Sequence, residues 1–226
     1  MKKLVIAIDG PAGSGKSTVA KQLAKKYNIL HLNTGSIYRA FSLYCLENNI
    51  DIYDQNSVEQ VLQNIDLQIK FENNEQIDIL NGRVVTPFLR QEKISNASSV
   101  VSQYAYVRHK AVELQRQIAN KMSVIVEGRD ITSVVLPDAN FKFFITASPQ
   151  IRAKRRYDEN IQKGILCDYE TILQDIKERD LRDETRKNSP LVIVKDAVVV
   201  DTSDMDINQV VKTFCHVIDT TLSKMV

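Results

Sequence analysis

Gly10-Pro11-Ala12-Gly13-Ser14-Gly15-Lys16-Ser17 is the stretch that decides the fold. It follows a continuously apolar run, Leu4-Val5-Ile6-Ala7-Ile8, and it opens a helical pattern in which Val19, Ala20, Leu23, Ala24 and Tyr27 share one face. Strand, glycine-rich loop and helix are the context in which G-x-x-x-x-G-K-[ST] wraps a phosphate chain. The glycines let the backbone curl so that several N–H groups point inward, and the helix adds the positive end of its dipole. In such a loop Lys16 reaches the β- and γ-phosphates, and the Ser17 hydroxyl is placed to ligate Mg²⁺. The loop predicts a nucleoside triphosphate, without saying what happens to it.

The rest of the chain alternates strand and helix patterns. Ile29 to Leu32 reads as a short strand, followed by a turn at Asn33-Thr34-Gly35 and a helix carrying Ile37, Ala40, Phe41, Tyr44 and Cys45 inward. Residues 55–65 and 97–120 read as helices, the latter with Val101, Ala105, Val112 and Ile118 inward and Arg108 within it. Further strands fall at Ser123-Val124-Ile125-Val126-Glu127, Phe141 to Ile145 and Ala197 to Asp201, separated by helices at about 149–163 and 169–186 and closed by an amphipathic helix at 207–222. This alternation predicts an α/β fold with a parallel sheet covered on both faces, and ligands beyond the carboxyl ends of the strands. One segment breaks the pattern. Leu67, Ile69 and Phe71, then Ile77 and Ile79, alternate with polar residues around Asn73-Asn74-Glu75, which predicts an antiparallel hairpin and a small inserted β unit over 63–95.

Composition narrows the function classes. The 226 residues suit one domain with an insert, and 43% apolar content supports a core. A net charge of +2 offers no global field for a nucleic-acid polymer or a membrane surface. The run after Met1-Lys2-Lys3 stops at Asp9, too short for a secretory signal, and no stretch matches a membrane span, so a cytoplasmic protein is expected. Cys45, Cys167 and Cys215 are odd in number and far apart, as expected of reduced, buried thiols. His31, His109 and His216 lack metal-ligand spacing and read as surface or core histidines.

Positive charge is local. Arg179, Asp183 and Arg186 share a face at i, i+4, i+7, within Glu178-Arg179-Asp180-Leu181-Arg182-Asp183-Glu184-Thr185-Arg186, and Arg152, Arg155 and Arg156 share another helix. A solvated face of ion pairs explains either helix alone. With Arg39, Arg108 and Arg129 they fit phosphoryl transfer to a second phosphorylated substrate, because guanidinium binds phosphate oxygens in a fixed fork and catalysis there is largely positioning and charge neutralisation. For the acid that holds Mg²⁺ through water, Glu127 at its strand end and Asp9 beside the loop are rivals. No Asn/Thr-Lys-x-Asp run is present, which speaks against a GTPase.

The P-loop, Thr34-Gly35-Ser36-Ile37-Tyr38-Arg39, Asn96-Ala97-Ser98-Ser99, Gly128-Arg129-Asp130, Glu178-Arg179-Asp180-Leu181-Arg182-Asp183 and Ser189-Pro190-Leu191 occur in an order that resembles bacterial cytidylate kinases from about residue 4 to the C-terminus. The resemblance implies a P-loop kinase fold: a five-stranded parallel sheet in a core of residues 1–62 and 96–226, a helical lid at about 149–186, and 63–95 as the monophosphate-binding insert. It implies transfer of the γ-phosphoryl group of ATP to CMP or dCMP with Mg²⁺, by a monomer. ATP would bind at Gly10, Pro11, Ala12, Gly13, Ser14, Gly15, Lys16, Ser17 and Thr18, with Ser17 on the metal. Thr34, Arg39, Arg129 and Arg186 would hold the CMP phosphate, Ser99, Arg108 and Asp130 would read the cytosine edge, and Arg179 and Asp183 would meet ribose and phosphate. Lys16, Arg129 and Arg186 would be catalytic, with Arg155, Arg156 and Arg182 in the lid. Asp130 suits the cytosine N4 donor, and Ser99 and Arg108 suit its O2 and N3 acceptors. Three positions depart from the family: Asn33 and Glu127 where Asp is usual, and Thr132 where Gly is usual, a strained choice if φ there is positive. The alternatives are a kinase for UMP, AMP or another small phosphate acceptor, and a non-catalytic NTP-binding module.

Overall fold

The computed structural model describes residues 3–224, so the first two and last two residues of the chain, including Met1 and Lys2 of the signal-like start, lie outside it. Its centre is a parallel sheet of β1 (Val5–Asp9), β2 (Leu30–Asn33), β6 (Val124–Gly128), β7 (Phe141–Thr146) and β8 (Val198–Asp201), in the order β2-β6-β1-β7-β8. Every β1 residue is buried, as a continuously apolar strand covered on both faces must be. Ile6 and Ile8 pack toward α1 (Lys16–Tyr27) and α8 (Ile207–Ser223), where Phe214 stacks on Phe143 at 4.1 Å between ring centres. Ala7 faces the opposite side, toward Ile118 and Ala119 of α5 (Ala105–Lys121). The register sets Asp9 opposite Gly128 and Asn33 opposite Glu127. Three strand ends thus finish level at one rim.

The sheet insert forms as read. β3 (Leu67–Glu72) and β4 (Glu75–Leu80) pair antiparallel, and β5 (Arg83–Val84) adds to β4. The hairpin turns at Asn73 and Asn74, whose φ values of 51° and 63° are the left-handed pair that a two-residue hairpin needs and that asparagine tolerates. The insert packs with α2 (Thr34–Glu47), α3 (Gln55–Leu62) and α4 (Glu92–Val101) around Phe41, Leu62 and Leu80.

Three local readings change. Thr34 already belongs to α2, so the turn expected at Asn33-Thr34-Gly35 is the first turn of a helix. The helix expected over 97–120 is two helices, α4 and α5, broken at Ser102-Gln103-Tyr104. Serine competes for backbone hydrogen bonds and weakens a helix interior, and the break frees the Ser102 carbonyl for Arg108 Nη1 (3.1 Å) and the Gln103 carbonyl for Asn188 Nδ2 (3.0 Å). Beyond β6 the chain forms a π-helical turn, Ile131–Val135, that the sequence pattern does not announce. α6 (Pro149–Gln162) and α7 (Tyr169–Thr185) pack on each other around Ala153, Ile172, Leu173 and Ile176, an apolar cluster separate from the main core. Among the described residues no helix is long and apolar enough to cross a membrane.

Candidate active site

The P-loop leaves β1 and enters α1 at the carboxyl rim of the sheet. Gly13 holds φ at 76°, and a side chain there would press on Arg152 Cβ at 3.3 Å. Arg152 is buried and braces the loop from α6. Its Nη1 donates to the Ala12 carbonyl at 3.1 Å, its Nε donates to the Ala147 carbonyl at 2.8 Å, and its guanidinium pairs with Asp180. Lys16 is buried too. Its Nζ donates to the Pro11 carbonyl at 2.6 Å and to Ser14 Oγ at 3.3 Å. Burial, then the nearby Arg129, holds its pKa well below the ordinary lysine value. That ammonium lacks a carboxylate in contact and is suited to donate to phosphate oxygens.

Of the two rival acids, Asp9 is occupied. Its Oδ1 accepts the Ile131 N–H at 2.8 Å, and its Oδ2 accepts both the Thr132 N–H and the Thr132 hydroxyl at 2.7 Å. Asp9 anchors the π-helical turn. Thr132 keeps a negative φ, so the strain expected of a β-branched residue is absent and its hydroxyl supplies a bond that glycine could not. Glu127 remains. It is buried, which by itself raises a carboxyl pKa. His31, Lys16 and the Ser17 hydroxyl outweigh burial and hold it below the ordinary value, as the carboxylate. His31, a core histidine as read, meets Glu127 Oε1 through Nε2 at 3.1 Å. Its role escaped the sequence reading because a single histidine on a short strand carries no spacing signal.

A cavity of about 270 Å³ gathers the residues expected to bind the acceptor. Lys16 and Ser17 line it together with Thr34, Arg39, Ser99, Arg108, Arg129, Asp130, Arg179, Asp183 and Arg186, drawn from α1, α2, α4, α5, the end of β6 and α7 with its cap. Thr34 Oγ1 donates to the Glu127 carbonyl at 2.8 Å. Arg108 Nη2 donates to Asp130 Oδ2, and the Arg108 guanidinium lies over the Tyr38 ring at 5.5 Å. Arg129 Nε donates to Asp183 Oδ2 at 2.9 Å, while Arg186 stands 3.8 Å from Asp183 and 4.0 Å from Asp130. Asp183 is buried, yet the fields of Arg129, Arg179 and Arg186 hold its pKa below the ordinary carboxyl value. Burial brings Arg39 and Arg179 down to about 10 each. Ser99 Oγ, Arg39 Nε, Arg108 Nε, Arg179 Nε and Arg186 Nη2 are buried with no hydrogen-bond partner. Unpaired donors of this kind are suited to an anionic, hydrogen-bonding ligand.

The lid residues divide. Arg156 lines this cavity and, with Arg179 and Arg182, an adjoining one of about 480 Å³ between α4 and α7. Arg155 faces neither: its Nη1 donates to Thr202 Oγ1 at 3.1 Å and its Nη2 to the Thr202 carbonyl at 2.5 Å, beyond β8. Tyr38, under the Arg108 guanidinium, was missed as a site residue, and Arg152, read only as one arginine of a charged helix, braces the P-loop. Tyr38 sits inside the quoted Thr34–Arg39 motif and could have been found there, whereas Arg152 looks like any residue of a basic helix.

Comparison with known proteins agrees along the chain. The family model described as "Cytidylate kinase" matches residues 6–220. The chain is 45% identical over 212 residues to a protein of Caldicellulosiruptor saccharolyticus named cytidylate kinase, covering 94% of each. It is 48% identical over 214 residues to one of Clostridium perfringens with the same name, covering 94% of this chain and 96% of that one. An uncharacterized protein of Eubacterium ventriosum of known structure shares the fold, with a TM-score of 0.54 at 17% identity over 96% of this chain and 99% of that one.

Proposed function

Since the chain belongs to the cytidylate kinase family, we propose that it transfers the γ-phosphoryl group of ATP to CMP and dCMP, with the labour divided among the residues of its cavity. The observation that carries this reading is the single cavity in which P-loop Lys16 and Ser17 meet nine acceptor-side residues expected from the sequence. An oxygen of the CMP phosphate bonds to the γ-phosphorus as the bond to the bridging oxygen of ADP breaks. That phosphate is already ionised near neutral pH, so no general base is needed. Arg39, Arg129 and Arg186 bind and orient it with Thr34, while Lys16 moves from the Pro11 carbonyl to the β- and γ-phosphate oxygens. Lys16, Arg129 and Arg186 are the catalytic residues, neutralising charge on the transferring group.

Asp130, steadied by Arg108, accepts from the cytosine amino group, and Ser99 and Arg108 donate to its ring acceptors. Arg179 and Asp183 meet the ribose and phosphate. Arg156 and Arg182 approach the transferring group from the helical pair α6 and α7, the lid, while Arg155 supports the far side of the P-loop through Thr202. The β3–β5 insert, within 63–95, borders the acceptor side.

The residues fit Mg²⁺ as an ion carried mainly by the nucleotide. The Ser17 hydroxyl and the ionised Glu127 stand together, the Asp9 oxygens are taken, and no cluster of three or more metal-ligating side chains occurs among the described residues. When bound, the ion would offset the charge of the nucleotide phosphates. Ser17 would hold it directly and Glu127 through water.

An ADP-release assay with ATP·Mg²⁺ and CMP, dCMP, UMP, AMP, shikimate or no acceptor tests the reading. Fast turnover is expected with CMP and dCMP alone. Equal turnover with UMP or AMP would remove the base assignment at Ser99, Arg108 and Asp130, and acceptor-independent ADP release would remove the transfer itself.

A further inference from the structure

The insert reaches the acceptor site through a compact polar network that the reaction chemistry does not use. Gln76 and Asp78 stand on β4. Gln76 Oε1 accepts the Asn33 backbone N–H at 2.8 Å, and its Nε2 donates to Ser36 Oγ at 2.5 Å and Asp78 Oδ1 at 2.8 Å. Ser36 Oγ lies 2.6 Å from Asp78 Oδ1. On the other side, the Asp78 backbone N–H donates to Thr86 Oγ1 at 2.7 Å. Two insert residues, Gln76 and Asp78, thus grip the two that flank Thr34-Gly35 at the first turn of α2, with Thr86 bracing Asp78 from behind.

Asp78 is 1% exposed, and no cation approaches it within salt-bridge distance among the described residues. A buried carboxylate held by neutral donors alone is an expensive arrangement. Burial raises its pKa, against the opposing pull of Ser36, Gln76 and the field of Arg39. Arg39 in turn has few direct bonds, and the carboxylates whose fields act on it are Glu127 and, after it, Asp78. Arg39 Nη2 reaches only Asn33 Oδ1, at 3.4 Å, and its Nε has no partner. It crosses directly over Gly35, where a Cβ would stand 2.8 Å from Arg39 Nη1. A second cavity, of about 560 Å³, opens on the insert side, and Asn33 and Arg39 line both it and the acceptor cavity. The guanidinium is therefore a partition between two spaces, with Asp78 on one side and the acceptor phosphate's place on the other.

We infer that Asp78, acting through Ser36 and Gln76, is a positioning residue for Arg39: it fixes the first turn of α2 and adds to the field of Glu127 from the insert side, so that this guanidinium stays poised at the acceptor phosphate. The insert then contributes to CMP affinity without touching CMP. The inference rests on the reading of Arg39 as a phosphate ligand, and it gives a use to the family departure at Asn33, whose amide oxygen accepts from Arg39 in place of an aspartate.

A double-mutant cycle tests it. Asp78→Asn, Arg39→Ala and the double variant are compared by steady-state kinetics, varying CMP and ATP separately, and by calorimetric titration with CMP alone. Asp78→Asn is expected to raise the CMP KM and Kd by about tenfold while the ATP KM stays within about twofold. In the Arg39→Ala background the same change is expected to have less than about a twofold effect, because its route is already gone. Equal losses for CMP and ATP, or full additivity in the double variant, would show a merely structural role and overturn the inference. If Arg39→Ala weakens CMP binding and Asp78→Asn does not, the positioning role alone fails. If Arg39→Ala leaves CMP binding unchanged, the phosphate assignment fails and takes the inference with it. Should Asp78→Asn not fold, Ser36→Ala runs the same cycle by removing one hydroxyl, with about a threefold rise in the CMP KM expected.

Discussion

The two sides of the cleft handle buried polar groups differently. On the P-loop side the buried charged groups are bonded within the protein: Asp9 takes three donors from the π-helical turn, Arg152 is spread over Ala12, Ala147 and Asp180, and Lys16 rests on the Pro11 carbonyl. Across the cavity, Ser99 Oγ and nitrogens of Arg39, Arg108, Arg179 and Arg186 are buried without partners. A buried polar group left unpaired costs about 1–3 kcal/mol. The charged groups of the P-loop side are paired within the structure, whereas the other side bears a stability cost that the proposed phosphorylated ligand would relieve. Substitutions on the first side should therefore show in stability, and substitutions on the second in substrate binding.

The hardest test falls on Arg186, which faces both Asp130 and Asp183. Arg186→Ala is expected to lower kcat/KM for CMP by well over tenfold, through loss of a charged phosphate contact and of the partner shared by two buried acids. An unchanged kcat/KM would return that face of α7 to a set of structural ion pairs and erase the contrast at its strongest point.

A matched pair sharpens it. Thr132→Val removes one bond to Asp9 and should destabilise the fold by about 1–2 kcal/mol, a fall in Tm of about 2–8 °C for a chain of this size, with kcat for CMP within about twofold. Ser99→Ala removes a hydroxyl that bonds to no protein group, so Tm should hold or rise slightly while the CMP KM rises about five- to tenfold. Thermal unfolding and CMP kinetics on the two variants check both halves. If each variant moved both quantities alike, the two sides would not differ as argued.

Much of this arrangement was legible in the chain, for reasons particular to each part. The strand before the P-loop is apolar without a break because both faces of β1 are covered, and the hairpin showed itself by alternation because one face of the insert is exposed. The nine residues expected to bind the acceptor were picked out as ordered motifs, and one cavity gathers them. What stayed hidden depends on direction rather than on residue type. Arg155 and Arg156 are neighbours on one helix, yet the first turns to Thr202 and the second to the cavity, and nothing in their order says which. The helical period runs through Ser102-Gln103-Tyr104 unbroken, and the break follows from acceptors needed by Arg108 and Asn188, far apart in sequence. Thr132 looked like a liability because its partner, Asp9, lies on another strand.

The smallest expected effect concerns pH, and there the two sides should differ in sign. Burial raises the Asp9 pKa above the ordinary value of 3.8, despite its three donors, so the folded state holds that proton more tightly than the unfolded chain does. Its contribution is present below 3.8 and is lost as pH rises through the higher folded value. The Asp183 pKa lies below 3.8 because Arg129, Arg179 and Arg186 outweigh its burial, so its contribution is present above 3.8 and is lost as pH falls through the lower folded value. Urea unfolding from about pH 3 to 6 on Asp9→Asn and Asp183→Asn, each against the parent chain, reads the two separately. Relative to the parent, Asp183→Asn should lose less stability on acidification. The Asp9→Asn variant should forgo the gain that acid gives Asp9 in the parent and so lose more. If Asp183→Asn loses more stability than the parent on acidification, the ring of arginines does not hold Asp183 as the carboxylate; if Asp9→Asn loses less, burial does not raise the Asp9 pKa.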